Sequence, residues 1–249
     1  GDHVTGNLVV NASGSYDLAG ASSTLTTDTL TADGIFTQDE GSNTVTGVMT
    51  VNSTGTYDLN DGTLDTGSVS IDGSVDQGGG DHNVGDNLAV NSTGSYDLAG
   101  ASSTLSTDTL GVDGAFTQSD GSNAVTGAMT VGAAGSYDLS GGTLDSDSLT
   151  TDGSFTQTGG SNAVTGALTV GAGGSYSLDS GSLTTGSIDN SAGGAFNWVN
   201  GDLMMTAGDL AVDSTGLLGQ TLVLSSTKNL QTVNQTVGTA AAGSGSVTQ

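Results

Sequence analysis

"GSYDLAGASSTL" occupies residues 14–25, and the same twelve letters return at residues 94–105. Nothing in the string resembles catalytic equipment. Its exact return 80 positions later marks an internal repeat, and self-similarity of this kind decides the architecture before any local pattern does. Around it, residues 7–51 and 87–131 match at about three quarters of positions. A shorter period lies inside the long one. An aromatic residue follows "Gly-x" at Tyr16, Phe36, Tyr57, Tyr96, Phe116, Tyr137, Phe155, Tyr176 and Phe196, with Val75 in the one gap, in steps of roughly 18–21 residues. A second marker runs Val4, Leu25, Val45, Leu64, Val84, Leu105, Val125, Leu144, Val164, Leu183, Leu203, Leu224, so a unit of about 20 residues occurs about 12 times.

Within a unit the apolar residues sit two apart, as Leu8 and Val10 do, and Tyr16 and Leu18. That is the period of a strand and not of a helix. Each short run ends in Gly, Asn, Asp or Ser, which tolerate turns. The pattern predicts an all-β protein, a single parallel β-solenoid (β-helix) of about 12 coils, each with three short strands. At about 4.8 Å per coil the rod is about 55–60 Å long. A sandwich or up-and-down barrel is the competing arrangement, but it needs antiparallel hairpins that one endlessly repeated unit does not call for. Residues 1–233 are expected to form the solenoid and residues 234–249 a C-terminal tail.

Composition narrows function. The chain has one Lys, no Arg, no Cys and no Pro against 26 acidic residues and 43 Gly, for a net charge of −25. Phosphate neutralisation needs Lys and Arg, so nucleic acid is excluded as a partner. Anionic lipid is disfavoured for the same reason, and no apolar run has the roughly 18–20 residues of a membrane span. No signal peptide is present, and a start at Gly-Asp-His without Met reads as a processed form.

Stacked coils place equivalent positions in columns. The aromatic column reads as a core ladder of stacked rings; a row of sugar-binding platforms is the functional alternative. The next position, Asp17, Thr37, Asp58, Asp76, Asp97, Thr117, Asp138, Thr156, Ser177, Asn197, reads as an outward column in which Asp mostly alternates with uncharged residues. Alternation separates like charges that would otherwise sit about 5 Å apart. Asp58, Asp76 and Asp97 break it, either tolerating repulsion in solvent or collecting a cation such as Ca²⁺, which takes several oxygen ligands. The glutamines Gln38, Gln77, Gln118 and Gln157 are expected near a corner or paired with backbone. Asn43, Asn123 and Asn162 are expected at turns, and His3 and His82 at solvated corners.

No catalytic constellation emerges. Solenoid lyases use Arg or Lys, and this chain has only Lys228. Glycoside hydrolysis needs a paired acid and nucleophile in a cleft, whereas these Asp residues recur on a regular surface. The chain is therefore read as a non-enzyme. Regular Thr ranks would suit ice binding, but both candidate ranks are interrupted by Asp, Gly and Ser.

The ends differ from the middle. A first coil presents an unpaired strand edge, which invites another strand. The C-terminal part is richer in Leu and Met and carries the only Lys. Head-to-tail stacking that does not close produces filaments. The expected interface joins Val4, Leu8 and Val10 of one copy to Leu224, Lys228, Leu230 and the tail of the next.

The stretches "VTGNLVVNASGSYDL", "VTGAMTVGAAGSYDL" and "VTGALTVGAGGSYSL" resemble the β-strand repeats of bacterial secreted solenoid proteins, the autotransporter passengers and filamentous adhesins. The resemblance covers residues 1 to about 233 and implies bacterial export, surface display and a structural or adhesive role. The expected function is thus an extracellular structural subunit that polymerises with itself. The alternative is an adhesin or passenger fragment that binds glycans or other surfaces.

Overall fold

The computed structural model describes residues 2–238 and 244–249. Among them there is no helix, and the chain winds as a parallel β-solenoid of about ten turns. Each turn contributes one long strand to a 12-stranded sheet and one four-residue strand to a 10-stranded sheet. The first long strand is Asp2–Val10 and the first short one Ser15–Leu18; the tenth pair is Ser182–Asp189 and Ala195–Trp198.

The sequence led to three short strands per coil and about twelve coils; the observed unit has two strands, and about ten turns carry both. The difference in strands has a physical origin. Two of the expected strands run into one another, because ladder hydrogen bonding continues through the bend that separates them. The bend survives as a shift in pairing register at mid-strand, between Thr27 and Leu30 or between Val45 and Val48, for example. Two inward side chains precede the shift and two follow it. With two more from the short strand, each coil fills the core from three walls.

Coil length alternates. Residues 42–62 form a long coil and residues 63–80 a short one. The long coil turns into its short strand through four residues (Asn52–Gly55, closed by a bond from Gly55 N to Asn52 O of 2.7 Å). The short coil does it with Asp72-Gly73 alone. Most corners after the short strand end on a glycine with positive φ, such as Gly62 (+87°) and Gly142 (+70°). That conformation is costly for any residue with a Cβ. The repeated dodecamer is the exception. Its Ala19–Ser23 and Ala99–Ser103 segments have two extra residues, no positive φ, and a turn closed by Ser23 N to Gly20 O (2.7 Å) and by Ser103 N to Gly100 O (2.9 Å). The identical strings are therefore the same corner of the rod, four coils apart.

The aromatic ladder is internal. Phe36, Tyr57, Tyr96, Phe116, Tyr137, Phe155 and Tyr176 are fully buried, and successive rings from Tyr16 to Tyr57 and from Tyr96 to Tyr176 stack with centroids 4.6–4.9 Å apart. That spacing is the inter-strand distance itself, so sheet pairing sets the ring contacts. Burial removes these rings as sugar platforms. The outward column pairs as expected, with Asp17 on Thr37, Thr37 on Asp58, Asp58 on Asp76 and Asp76 on Asp97.

The second marker is corrected by the register. Leu25 pairs with His3 and Asn43, while Val45 pairs with Thr27 and Thr66. The marker had spliced two inward columns that lie two residues apart. Strand period permits the error, since residues two apart face the same side. Val4 belongs to neither column. It pairs with Thr26 on the outer surface and is 76 % exposed.

Lys228–Gln231, within the span expected to form the solenoid, extends the large sheet on Gly201–Met205. Of the tail expected over 234–249 to dock on a neighbouring copy, the described strands pair within the chain: Gln235–Val237 with Leu210–Val212 and Ser246–Thr248 with Thr221–Val223. The part of the tail at 239–243 lies outside the described residues.

Candidate functional site

The core carries a recurrent polar relay. The inward column of the long strand reads His3, Leu25, Asn43, Leu64, His82, Leu105, Asn123, Leu144, Asn162, Leu183. In every second coil a polar residue therefore faces the ladder, and Asn43, His82, Asn123 and Asn162 are all fully buried. This corrects two expectations. The asparagines are not turn residues, and His82 is not solvated; only His3, in the first coil, is exposed.

Each buried polar residue meets a tyrosine and a glutamine. Asn43 Nδ2 donates to the Tyr57 hydroxyl (2.8 Å), and Tyr57 donates to Gln38 Oε1 (2.7 Å). Gln38 Nε2 in turn donates to the carbonyl of Thr63 at 2.9 Å. The same chain links Asn123, Tyr137 and Gln118, and again Asn162, Tyr176 and Gln157. In the remaining case His82 replaces Asn, with Nδ1 at 2.9 Å from the Tyr96 hydroxyl and Tyr96 donating to Gln77 Oε1 at 2.7 Å.

The direction of donation is forced. The glutamine NH₂ is spent on backbone carbonyls, so its oxygen accepts. The tyrosine proton goes to that oxygen, so the tyrosine must accept from Asn or His. His82 is thereby held as the neutral Nδ1–H tautomer. Burial lowers its pKa to about 3 and pushes the hydroxyls of Tyr57, Tyr96, Tyr137 and Tyr176 above their ordinary range. Burial thus disfavours the charged forms of His82 and of the four tyrosines near neutrality. The sequence expectation for the glutamines, near a corner or paired with backbone, agrees with the bonds of their NH₂ groups, while their oxygens accept from tyrosine.

The candidate cation ligands form a line. Asp58, Asp76 and Asp97 stand one per coil on the outer face of the small sheet. Partial burial, and then the neighbouring carboxylate, raise the pKa of Asp58 and Asp76. Among the described residues no three His, Cys, Asp or Glu side chains converge as metal ligands.

The expected assembly residues separate into two kinds. Leu8, Val10 and Leu230 stand at the ends of inward columns. Leu8 is the first member of the column through Leu30, Val10 of the column through Ala32, and Leu230 extends the column through Leu203. Leu8 and Leu230 are half-buried because each is covered on one side only. Val4 faces outward, as described. Lys228 lies with Nζ 5.2 Å from the centroid of the Trp198 ring, a cation–π distance, and so is engaged by its own chain. Leu224 is half-buried, its N–H bonded to the carbonyl of Thr248 at 2.8 Å.

Around Lys228 the repeat is broken. Trp198 takes the ladder position of the glutamines, and its Nε1 donates to the carbonyl of Gly201 (3.2 Å), as Gln77 Nε2 donates to that of Gly80 (2.9 Å). Beyond it lies an open cleft of about 480 Å³ lined by Phe196, Trp198, Leu217, Leu218, Leu222 and Lys228. None of the residues that line it is acidic.

No family model, no curated protein and no solved structure matches the chain.

Proposed function

We propose that the chain is a non-catalytic structural rod of the extracellular space that joins end to end with further copies of itself. The observation that carries this reading is the coil-on-coil contact inside the chain. Equivalent strands pair in parallel over about ten turns, and successive ladder rings stack 4.6–4.9 Å apart. An identical coil of another copy can repeat that contact. Among the described residues Asp2–Val10 and Lys228–Gln231 lie at opposite edges of the 12-stranded sheet and pair on one side only, and His3 and Leu230 stand at the two ends of one inward column.

Head-to-tail stacking continues that column and covers both edges. Like-charged rods repel along their sides, which leaves the ends as the favoured contacts. Display on a bacterial surface follows from the sequence resemblance.

Electron microscopy and analytical ultracentrifugation of the purified chain test the proposal. Rods of many multiples of the monomer length, growing as salt screens the charge, are expected. Single rods at every concentration would refute it, as would a closed dimer joined through two first coils. Single rods that bind glycans or surfaces would favour the adhesin reading instead.

A further inference from the structure

The polar relay leaves one set of atoms unexplained. Asn43, Asn123 and Asn162 each use Nδ2 on a tyrosine, and their Oδ1 atoms are buried with no protein partner. A buried amide oxygen left unpaired is costly, about 1–3 kcal/mol, and here the same orphan occurs at three of the four buried polar residues of this column. The inward column alongside supplies a hydroxyl from the preceding coil in each case. Thr27 precedes Val45 in the coil of Asn43, Thr107 precedes Val125 in the coil of Asn123, and Ser146 precedes Val164 in the coil of Asn162. Thr27 Oγ1 and Ser146 Oγ are likewise buried with no protein partner. Thr107 Oγ1 donates to the carbonyl of Thr109 at 3.0 Å, which leaves its lone pairs open.

The fourth coil of this kind shows what lies between. There His82 stands in place of Asn, and its Nε2 reaches to 3.5 Å from Oγ1 of Thr66, the hydroxyl of the preceding coil. Imidazole has one more ring atom on that side than an amide has, so the Asn Oδ1 stops short of its hydroxyl. The amide oxygen, buried with no protein partner, and the hydroxyl of the preceding coil form a site for one small molecule that can both donate and accept.

We propose that Asn43, Asn123 and Asn162 each bind a buried water molecule that bridges Oδ1 to the hydroxyl of Thr27, Thr107 or Ser146, and that the His82 ring replaces this water in its own coil. The water donates one hydrogen to the amide oxygen. With Thr27 and Ser146 it accepts from the hydroxyl; with Thr107 it donates its second hydrogen. Two to four polar partners are what an internal water requires. The rod is thus hydrated from within along one wall, once every two coils, with a dry node at His82.

A near-atomic-resolution crystal structure of the intact chain, with magnetic relaxation dispersion counting long-lived internal waters in solution, tests this. Density for one water at each of the three asparagines and none beside His82 Nε2 is expected. His82→Asn should gain one long-lived water and Asn123→His should lose one. Well-ordered Asn side chains with no density at Oδ1, or an Oδ1 bonded directly to the hydroxyl, would overturn the proposal. An unchanged water count in a folded His82→Asn variant would overturn it too. If a variant does not fold, the wild-type density alone decides.

Discussion

His82 and Tyr96 share a hydrogen bond of 2.9 Å inside the rod, with the imidazole as donor and both side chains closed to solvent. The ten-residue strand Asp81–Val90 brings the histidine to the core and the four-residue strand Ser95–Leu98 brings the tyrosine, fourteen positions later. The bond needs the proton on Nδ1, and the burial that keeps the ring neutral gives the protein an acid sensitivity located at one residue.

The folded pKa of His82 is about 3, and the unfolded chain takes up the proton near pH 6.5. The unfolded state therefore binds more protons over that interval. Stability from this residue is intact above about pH 6.5 and falls by up to about 1.4 kcal/mol per pH unit below it. His82→Asn, which restores the residue of the other coils, should abolish that slope. Denaturant midpoints of both proteins, compared from pH 7 to about pH 4, would show the difference widening toward acid. Parallel curves would mean that the imidazole is not buried.

Removing the Tyr137 hydroxyl should cost more than its small volume implies. Tyr137→Phe strands Asn123 Nδ2 and Gln118 Oε1 in the core. A loss of about 1–3 kcal/mol for each buried group left unsatisfied is expected. Adding Asn123→Leu, which puts the leucine of alternate coils at that position, should recover part of it. Equilibrium urea unfolding reads both effects.

Gly142 has φ of +70°, and a Cβ there would collide with the carbonyl oxygen of Gly121 in the adjacent coil. Gly142→Ala should therefore destabilise by more than the roughly 1 kcal/mol of a left-handed alanine alone. Gly111 has open space around its Cβ position and no positive φ. Gly111→Ala is the control, and it should leave the thermal midpoint within a few degrees of wild type.

The run Asp58, Asp76, Asp97 should weaken the rod at neutral pH. Burial first, and then the neighbouring carboxylate, raise the pKa of Asp76. A raised carboxylate pKa means that the folded state holds its proton more tightly, so stability drops as pH rises through that value. Asp76→Thr, which copies the residue of other coils, should stabilise by a few tenths of a kcal/mol at pH 7. The gain should vanish once acid protonates the column. Thermal melts at both pH values check the sign.

Much of the rod was legible in the sequence. The ladder from Tyr16 to Phe196 and the Asp17 column could be read because each is periodic and because a strand exposes alternate residues. The polar relay was less visible. Asn43 and His82 carry turn-forming or solvent-seeking side chains, and their burial depends on partners five residues earlier and fourteen later. The signal was present as a constant spacing in Gln38–Asn43–Tyr57, Gln77–His82–Tyr96, Gln118–Asn123–Tyr137 and Gln157–Asn162–Tyr176.

The sequence by itself determined that short strands stack in parallel with a fixed period, because hydrophobic spacing and turn chemistry are local. Tertiary structure decided which inward column each residue joins, since pairing across coils of alternating length fixes the register. It also decided that polar side chains enter the core, because their hydrogen-bond partners meet only when three coils are stacked. Beyond residue 200 period and pairing part company. Gly201–Met205 and Lys228–Gln231 extend the large sheet, where each satisfies the open edge before it, whereas Leu210–Val212 pairs with Gln235–Val237 and Thr221–Val223 with Ser246–Thr248 in two small sheets of their own.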